Sequence, residues 1–192
     1  EVNQVKILFE VRFCTILQRR GSDTINGLMI KISKIKNGEI NLFAADSKYV
    51  GWENIPISKY RAISYSQNPR SNPQDVVLYL AFHDDILVGY RTVMPDLVFV
   101  GETQIKVGWL SGNWVHPDFR RKGISTMLFN EVYKDWNNRL LYTNYAPESK
   151  AVYDKSGKFG LLASKNGRRF YLRSCLSTLL PSRSSIFRRS IP

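Results

Sequence analysis

Cysteine and histidine are scarce. The 192 residues hold only Cys14 and Cys175, His83 and His116. Two cysteines build no disulfide framework, and the four residues together are too few for a structural zinc site. The cysteines read as small core residues rather than nucleophiles, no bound metal is expected, and a reducing cytoplasm is the expected compartment. Long hydrophobic runs are missing as well. No apolar stretch approaches the roughly 18 residues that a membrane span needs, so no membrane association is expected. The N-terminal EVNQVKILFEVRFC begins with an acid and lacks the basic flank and small-residue cleavage site of a signal peptide. With Glu1 in first place and no initiator methionine, the chain reads as a recombinant fragment or a trimmed product. No repeat of fixed period is visible. Acid is in short supply: Asp and Glu number 16 against 28 Lys and Arg, a net charge of +12. That balance suits a polyanion or a phosphate-rich ligand. The cations are spread along the chain, however, and neither gather on one helix face nor alternate with aromatics, which argues against a dedicated nucleic-acid surface.

What is present is enough for one ordinary domain with a real core. Residues 4–18 (QVKILFEVRFCTILQ) form an element open between strand and helix, and 19–26 (RRGSDTIN) read as a loop. The stretch NGLMIKISKIKNGEINLFAAD alternates in places, and Asn37-Gly38 signals a hairpin between two strands. Residues 51–75, with three prolines and many Ser and Asn, read as loop with one short helix at KYRAISYS. From Val76, VVLYLAF and ILVGYRTVM are two strands about the acidic turn HDD. A third alternating run, turning at Gly101, ends near Val115. Residues 123–138 have helical spacing, with Ile124, Met127, Leu128, Val132 and Trp136 on one face. RLLYTNYA is a short strand. PESKAVYDKSG is a helix with Pro147 in its first turn and Gly157 at its end, and RRFYLRSCL is a last strand. Strands, helix, strand, helix, strand make an α+β domain around one mostly antiparallel sheet.

The densest signal is VHPDFRRKGIST, residues 115–126. A strand leads through His116-Pro117 to Arg120, Arg121, Lys122 and Gly123, and a helix starts there. The first turn of a helix offers unpaired N–H groups and a partial positive charge. Gly123 lets an anion approach the backbone, Ser125 is small, Thr126 adds a hydroxyl, and three cations add full charge. Such a turn is shaped to hold a pyrophosphate.

Arg120-Arg121-Lys122-Gly123-Ile124-Ser125 also resembles the R/Q-x-x-G-x-G/A signature of the GNAT N-acetyltransferase family. The wider V-x-P-x-x-R-x-x-G-I-x-x-x-L fits Val115, Pro117, Arg120, Gly123, Ile124 and Leu128. Downstream, Asn144 and AVYDKSGKF (151–159) are similar to the family's N…Y-x-x-x-G-F pattern. The resemblance covers roughly residues 76–176. Two departures stand out: Ser125 where Gly or Ala is usual, and Lys158 between Gly157 and Phe159.

The resemblance implies a GNAT-like acyl-CoA N-acyltransferase fold, its sheet flanked by helices and splayed at the cofactor site. It implies one domain over 1–176, with 1–75 as the acceptor-side part, 76–176 as the cofactor-binding core and 177–192 as a basic tail. Acetyl-CoA would be the co-substrate and a primary amine, on a small molecule or a protein, the acceptor, attacking directly in a ternary complex. Main-chain groups of Asn113 and Val115 would pair with the pantetheine arm. Residues Arg120 to Thr126, Ile124 among them, would hold the pyrophosphate. The N–H near Asn113 would polarise the thioester carbonyl. Tyr153 would be the general acid for the departing thiolate, and Asn144 would bond the pantetheine or the splay. No strong base stands at Trp109-Leu110-Ser111, so a water chain or an already neutral amine would serve. His116 is expected to pack or face solvent, and Asp96 and Glu102 to be turn carboxylates. Trp52, Trp109 and Trp114 fit either an acceptor pocket or the core. Oligomeric state is open, a dimer included. The rival readings are a catalytically silent acyl-CoA-binding module and a nucleic-acid-binding module.

Overall fold

The computed structural model describes residues 5–14, 24–25, 28–46, 52, 54–143 and 147–169. The chain divides into two compact units, Glu10–Ala163 and a smaller one of Glu1–Phe9 with Ser164–Pro192. Of the smaller unit only strand ends are described. The larger unit carries the site.

In chain order the elements are β1 (Val5–Cys14), β2 (Thr24–Ile25), β3 (Leu28–Met29), β4 (Lys31–Lys36), α1 (Ile40–Ala45), α2 (Lys59–Ser66), β5 (Val76–His83), β6 (Ile86–Val100), β7 (Thr103–Val115), α3 (Ile124–Asp135), β8 (Leu140–Tyr142), α4 (Pro147–Ser156) and β9 (Phe159–Arg169). The main sheet runs β4-β5-β6-β7-β8-β1-β9. Pairing is antiparallel from β4 to β7 and between β8 and β1; β7 and β8 are parallel.

β5 is buried along Val77–Ala81 because helices cover both of its faces. Tyr79 and Ala81 enter one core with α3 and Tyr153 of α4; Leu78 and Leu80 enter another with Ile40 of α1 and Ala62 and Tyr65 of α2. The β5–β6 turn is tight: Asp84 (φ 47°) and Asp85 (φ 63°) both take left-handed conformations between paired His83 and Ile86. That is the twist a two-residue hairpin favours. α3 buries the face read from its spacing, Ile124, Met127, Leu128 and Val132, and adds Phe129 and Tyr133. Trp136 caps this core and donates from Nε1 to the Val76 carbonyl at 3.1 Å.

The Asn37-Gly38 hairpin is corrected. Residues 37–39 form a 3-10 turn, and the chain passes directly into α1. Glu39 turns back to accept the Lys36 N–H at 3.2 Å, while the Asn37 and Gly38 N–H groups bond the carbonyls of Asp75 and Pro73. The turn is thus held by a distant loop, and β4 pairs with β5. The N-terminal element is a strand. The last strand starts at Phe159, nine residues before RRFYLRSCL begins, and residues 170–176 of that segment lie outside the described residues, as do 177–192.

Gly108 fixes where β7 meets α3. A Cβ there would lie 2.6 Å from Val93 Cγ1 and 2.8 Å from Trp136 Cδ2, inside closed core. Gly108→Ala is therefore expected to lower stability by about 1–3 kcal/mol through overpacking, read from the urea midpoint at unchanged slope.

Candidate active site

β7 is paired with β6 nearly throughout, but among the described residues it pairs with β8 only at Gly108↔Leu140 and Trp109↔Leu141. Beyond Trp109 the two parallel neighbours part. The β6–β7 register also shifts there: Val93 faces Leu110 and Arg91 faces Asn113, so β7 spends one residue more than β6. This bulge falls at Ser111-Gly112. The Gly112 N–H is taken by Thr92 Oγ1 at 2.6 Å.

Past the bulge the pairing sets the direction of each peptide. The His116 N–H donates to the Val88 carbonyl at 2.9 Å, in register with Val115↔Gly89. Antiparallel ladders alternate, so Trp114 also bonds toward β6, while the N–H and C=O of Asn113 and Val115 point into the gap opened beside β8. On that side Val115 O accepts from Arg120 Nε at 3.3 Å.

A 3-10 turn, Pro117–Phe119, and the cationic loop then join β7 to α3. Arg121 (φ 61°) and Gly123 (φ 86°) are both left-handed, and Gly123 is the N-cap of α3. No side chain caps this N-terminus. Lys122 lays its ammonium 4.9 Å from the Phe119 ring centre, and Arg121 is exposed. Thr126 is exposed and Ile124 is buried in the core.

Behind the loop lies a polar cluster in otherwise apolar surroundings. Arg91 of β6 is 1% exposed. Its Nη1 donates to Tyr153 Oη at 2.9 Å and its Nη2 to Ser125 Oγ at 3.3 Å. Asn113 Nδ2 donates to the same Ser125 oxygen at 3.3 Å. Arg91 Nε and Asn113 Oδ1 are buried without a hydrogen-bond partner. The guanidinium sits 5.8 Å from the Phe129 ring and 5.6 Å from the Tyr153 ring. The Tyr153 ring packs on Tyr142, Phe129 and Phe159.

The opposite face of the bulge carries a second network. Tyr65 Oη and Ser111 Oγ are 2.8 Å apart, Ser111 Oγ and Thr92 Oγ1 2.9 Å, and Arg61 Nη2 donates to both Tyr65 Oη and Thr92 Oγ1. Tyr90 stacks on Trp114 beside it.

A model of an acetyltransferase (GNAT) domain matches residues 31–161. The chain belongs to the GNAT acetyltransferase family. It carries the domain of a GNAT-type N-acetyltransferase, and the match reaches back to Lys31, well before the motifs that first suggested the family. No curated protein matches the chain. Among solved structures, a GCN5-related N-acetyltransferase from Sphaerobacter thermophilus is 16% identical over 88% of this chain and 53% of its own, at a TM-score of 0.51. A predicted acetyltransferase from Clostridium acetobutylicum, solved with acetyl-CoA, is 16% identical over 77% of this chain and 97% of its own, at 0.50. At such identity these likenesses establish the GNAT fold, with its mostly antiparallel sheet flanked by helices.

In this GNAT domain Asn113, Ser125 and Tyr153 are brought together through Arg91, with Val115 and the 120–126 loop beside them. Asn144 lies outside the described residues. His116 packs: its Nδ1 accepts the Asp118 N–H, and its ring stands edge-on to Trp114 and Phe119. Asp96 is a mid-strand residue. Burial works against its charge, but hydrogen bonds from Arg70, the Leu97 N–H and Trp109 hold it below the usual carboxylate range, which makes it a poor proton acceptor. Glu102 is exposed in the β6–β7 turn, and Trp52, Trp109 and Trp114 are only partly buried. Among the described residues no three His, Cys, Asp or Glu side chains group as a metal site would need, and no helix is long and apolar enough to cross a membrane. The sequence reading missed Arg91, although one signal was available: a single arginine inside the apolar strand ILVGYRTVM.

Proposed function

We propose that the chain transfers an acetyl group from acetyl-CoA to a primary amine by direct attack in a ternary complex. The observation that carries this reading is the hydrogen-bonded chain Tyr153–Arg91–Ser125–Asn113. It joins a phenol, the first turn of α3 and the open end of β7 at one place.

The pantetheine arm runs in the gap between β7 and β8, where the main-chain groups of Asn113 and Val115 supply the hydrogen bonds of a missing strand. The pyrophosphate sits at the N-terminus of α3. Left-handed residues at Arg121 and Gly123 turn successive N–H groups inward, the uncapped first turn adds more, and Arg120, Arg121 and Lys122 supply charge. The Asn113 N–H, directed into the gap, polarises the thioester carbonyl, and Tyr153 protonates the departing sulfur. Alignment of amine and thioester supplies much of the remaining acceleration. The amine enters from the Arg61–Tyr65–Ser111–Thr92 face. None of those groups is a base at neutral pH, so the amine binds neutral or loses its proton to water.

The test is thiol release from acetyl-CoA with spermidine, kanamycin, glucosamine 6-phosphate and a lysine-bearing peptide as acceptors. Saturable, amine-dependent release is expected from at least one. A folded protein that binds acetyl-CoA yet releases no thiol would favour the silent binding module instead.

A further inference from the structure

Arg91 is a buried cation. Among the described residues no carboxylate lies within ion-pair range, its Nε has no partner, and its contacts are two hydroxyl oxygens and two aromatic faces. Burying a charge this way is costly beside a pair or an apolar replacement. A group held at that cost next to Tyr153 calls for a functional account.

Donor chemistry supplies one. A guanidinium has five N–H donors and no acceptor. At 2.9 Å, then, Tyr153 Oη must accept from Arg91, and the phenolic hydrogen is directed to something else. Ser125 Oγ accepts from both Arg91 and Asn113, which occupies both lone pairs and leaves its hydroxyl to donate. Arg91 thereby turns two ambivalent hydroxyls into donors, one in α4 and one in the first turn of α3.

We propose that Arg91 is a positioning residue for acetyl transfer: it holds Tyr153 with its proton presented to the departing sulfur, and its charge stabilises the phenolate left behind. This rests on the transfer reading above. In the step, the amine nitrogen adds to the thioester carbonyl carbon. The carbonyl re-forms as the C–S bond breaks, sulfur leaves with the bonding pair, and it takes the Tyr153 proton to become the free thiol. The phenolate beside Arg91 regains a proton from water, which carries the one shed by the attacking nitrogen. Nothing is oxidised or reduced, and Arg91 stays charged throughout.

The test uses the full chain with Arg91→Met, Arg91→Lys, Tyr153→Phe and the Arg91→Met/Tyr153→Phe double variant. Thiol release from acetyl-CoA is followed with the best amine of the panel and, in its absence, as hydrolysis, which expels the same leaving group. Calorimetry gives acetyl-CoA affinity and thermal melts report folding. Arg91→Met is expected to lower kcat about 30-fold with acetyl-CoA affinity within about 3-fold, and Arg91→Lys to recover most of that loss. The double variant should be no slower than Tyr153→Phe alone, because both substitutions remove one function. Neither Arg91→Met variant should melt below its Arg91-bearing counterpart, since methionine removes an unpaired charge. Multiplying losses, a loss of acetyl-CoA affinity, or an unchanged kcat in Arg91→Met would overturn the role of Arg91 and leave the transfer reading standing. A wild-type protein without thiol release would overturn the transfer reading, and this inference with it.

Discussion

Gly123→Glu is expected to weaken acetyl-CoA binding by about 100-fold while the fold survives. Gly123 sits at φ 86° as the N-cap of α3; a side chain lets this turn relax in the free chain, and restoring the left-handed conformation on binding costs about 1 kcal/mol. The new carboxylate would meet the same first-turn N–H groups that the diphosphate needs and repel it, which adds about 2 kcal/mol. The sum of about 3 kcal/mol corresponds to the stated factor. The carboxylate also satisfies the helix end, so the melting temperature should move little. Gly123→Ala carries the strain without the charge and should lose less than about tenfold. Calorimetric titration of the two variants separates the terms. If Gly123→Glu bound as tightly as wild type, the anion would not be held at this turn.

Tyr153→Phe is expected to cost about 100-fold in kcat and to change the KM for acetyl-CoA by less than about 3-fold. The ring would stay: its centre lies 4.3 Å from that of Tyr142, 5.3 Å from Phe159 and 5.9 Å from Phe129, and none of those contacts uses the hydroxyl. What goes is the proton for the leaving sulfur and the acceptor for Arg91. Steady-state kinetics of the purified variant decides. A wild-type kcat would make Tyr153 a packing residue and leave the proton to solvent.

Much of this was legible in the order of residues because it depends on local periodicity. β5 and β6 could be read from apolar runs about an acidic turn, and α3 from the spacing of Ile124, Met127, Leu128 and Val132. Their partners lie next in sequence, so local pattern and tertiary pairing agree. The Asn37-Gly38 turn failed for the opposite reason. Its backbone is captured by Asp75 and Pro73, more than thirty residues away, and Glu39 caps Lys36 where a hairpin would have placed a strand. A turn dipeptide cannot report a distant loop.

The site divides in the same way. The strand–loop–helix turn and Tyr153 stood out because they lie in short motifs. The bulge at Ser111-Gly112 did not, since an extra residue exists only relative to the strand it pairs with. Arg91 was hidden among apolar neighbours, and its importance comes from meeting Ser125, thirty-four residues on, and Tyr153, sixty-two on. Ser125 reads in the sequence as one small residue in place of Gly or Ala; in the fold its hydroxyl receives both Arg91 and Asn113.

The central claim is that the N-terminus of α3 and the open end of β7 hold acetyl-CoA. Calorimetric titration of the wild-type chain with acetyl-CoA tests it most directly. The account predicts saturable binding of one molecule per chain. A folded chain that gives no binding heat at any temperature tried, and no shift in melting temperature at millimolar acetyl-CoA, would contradict it.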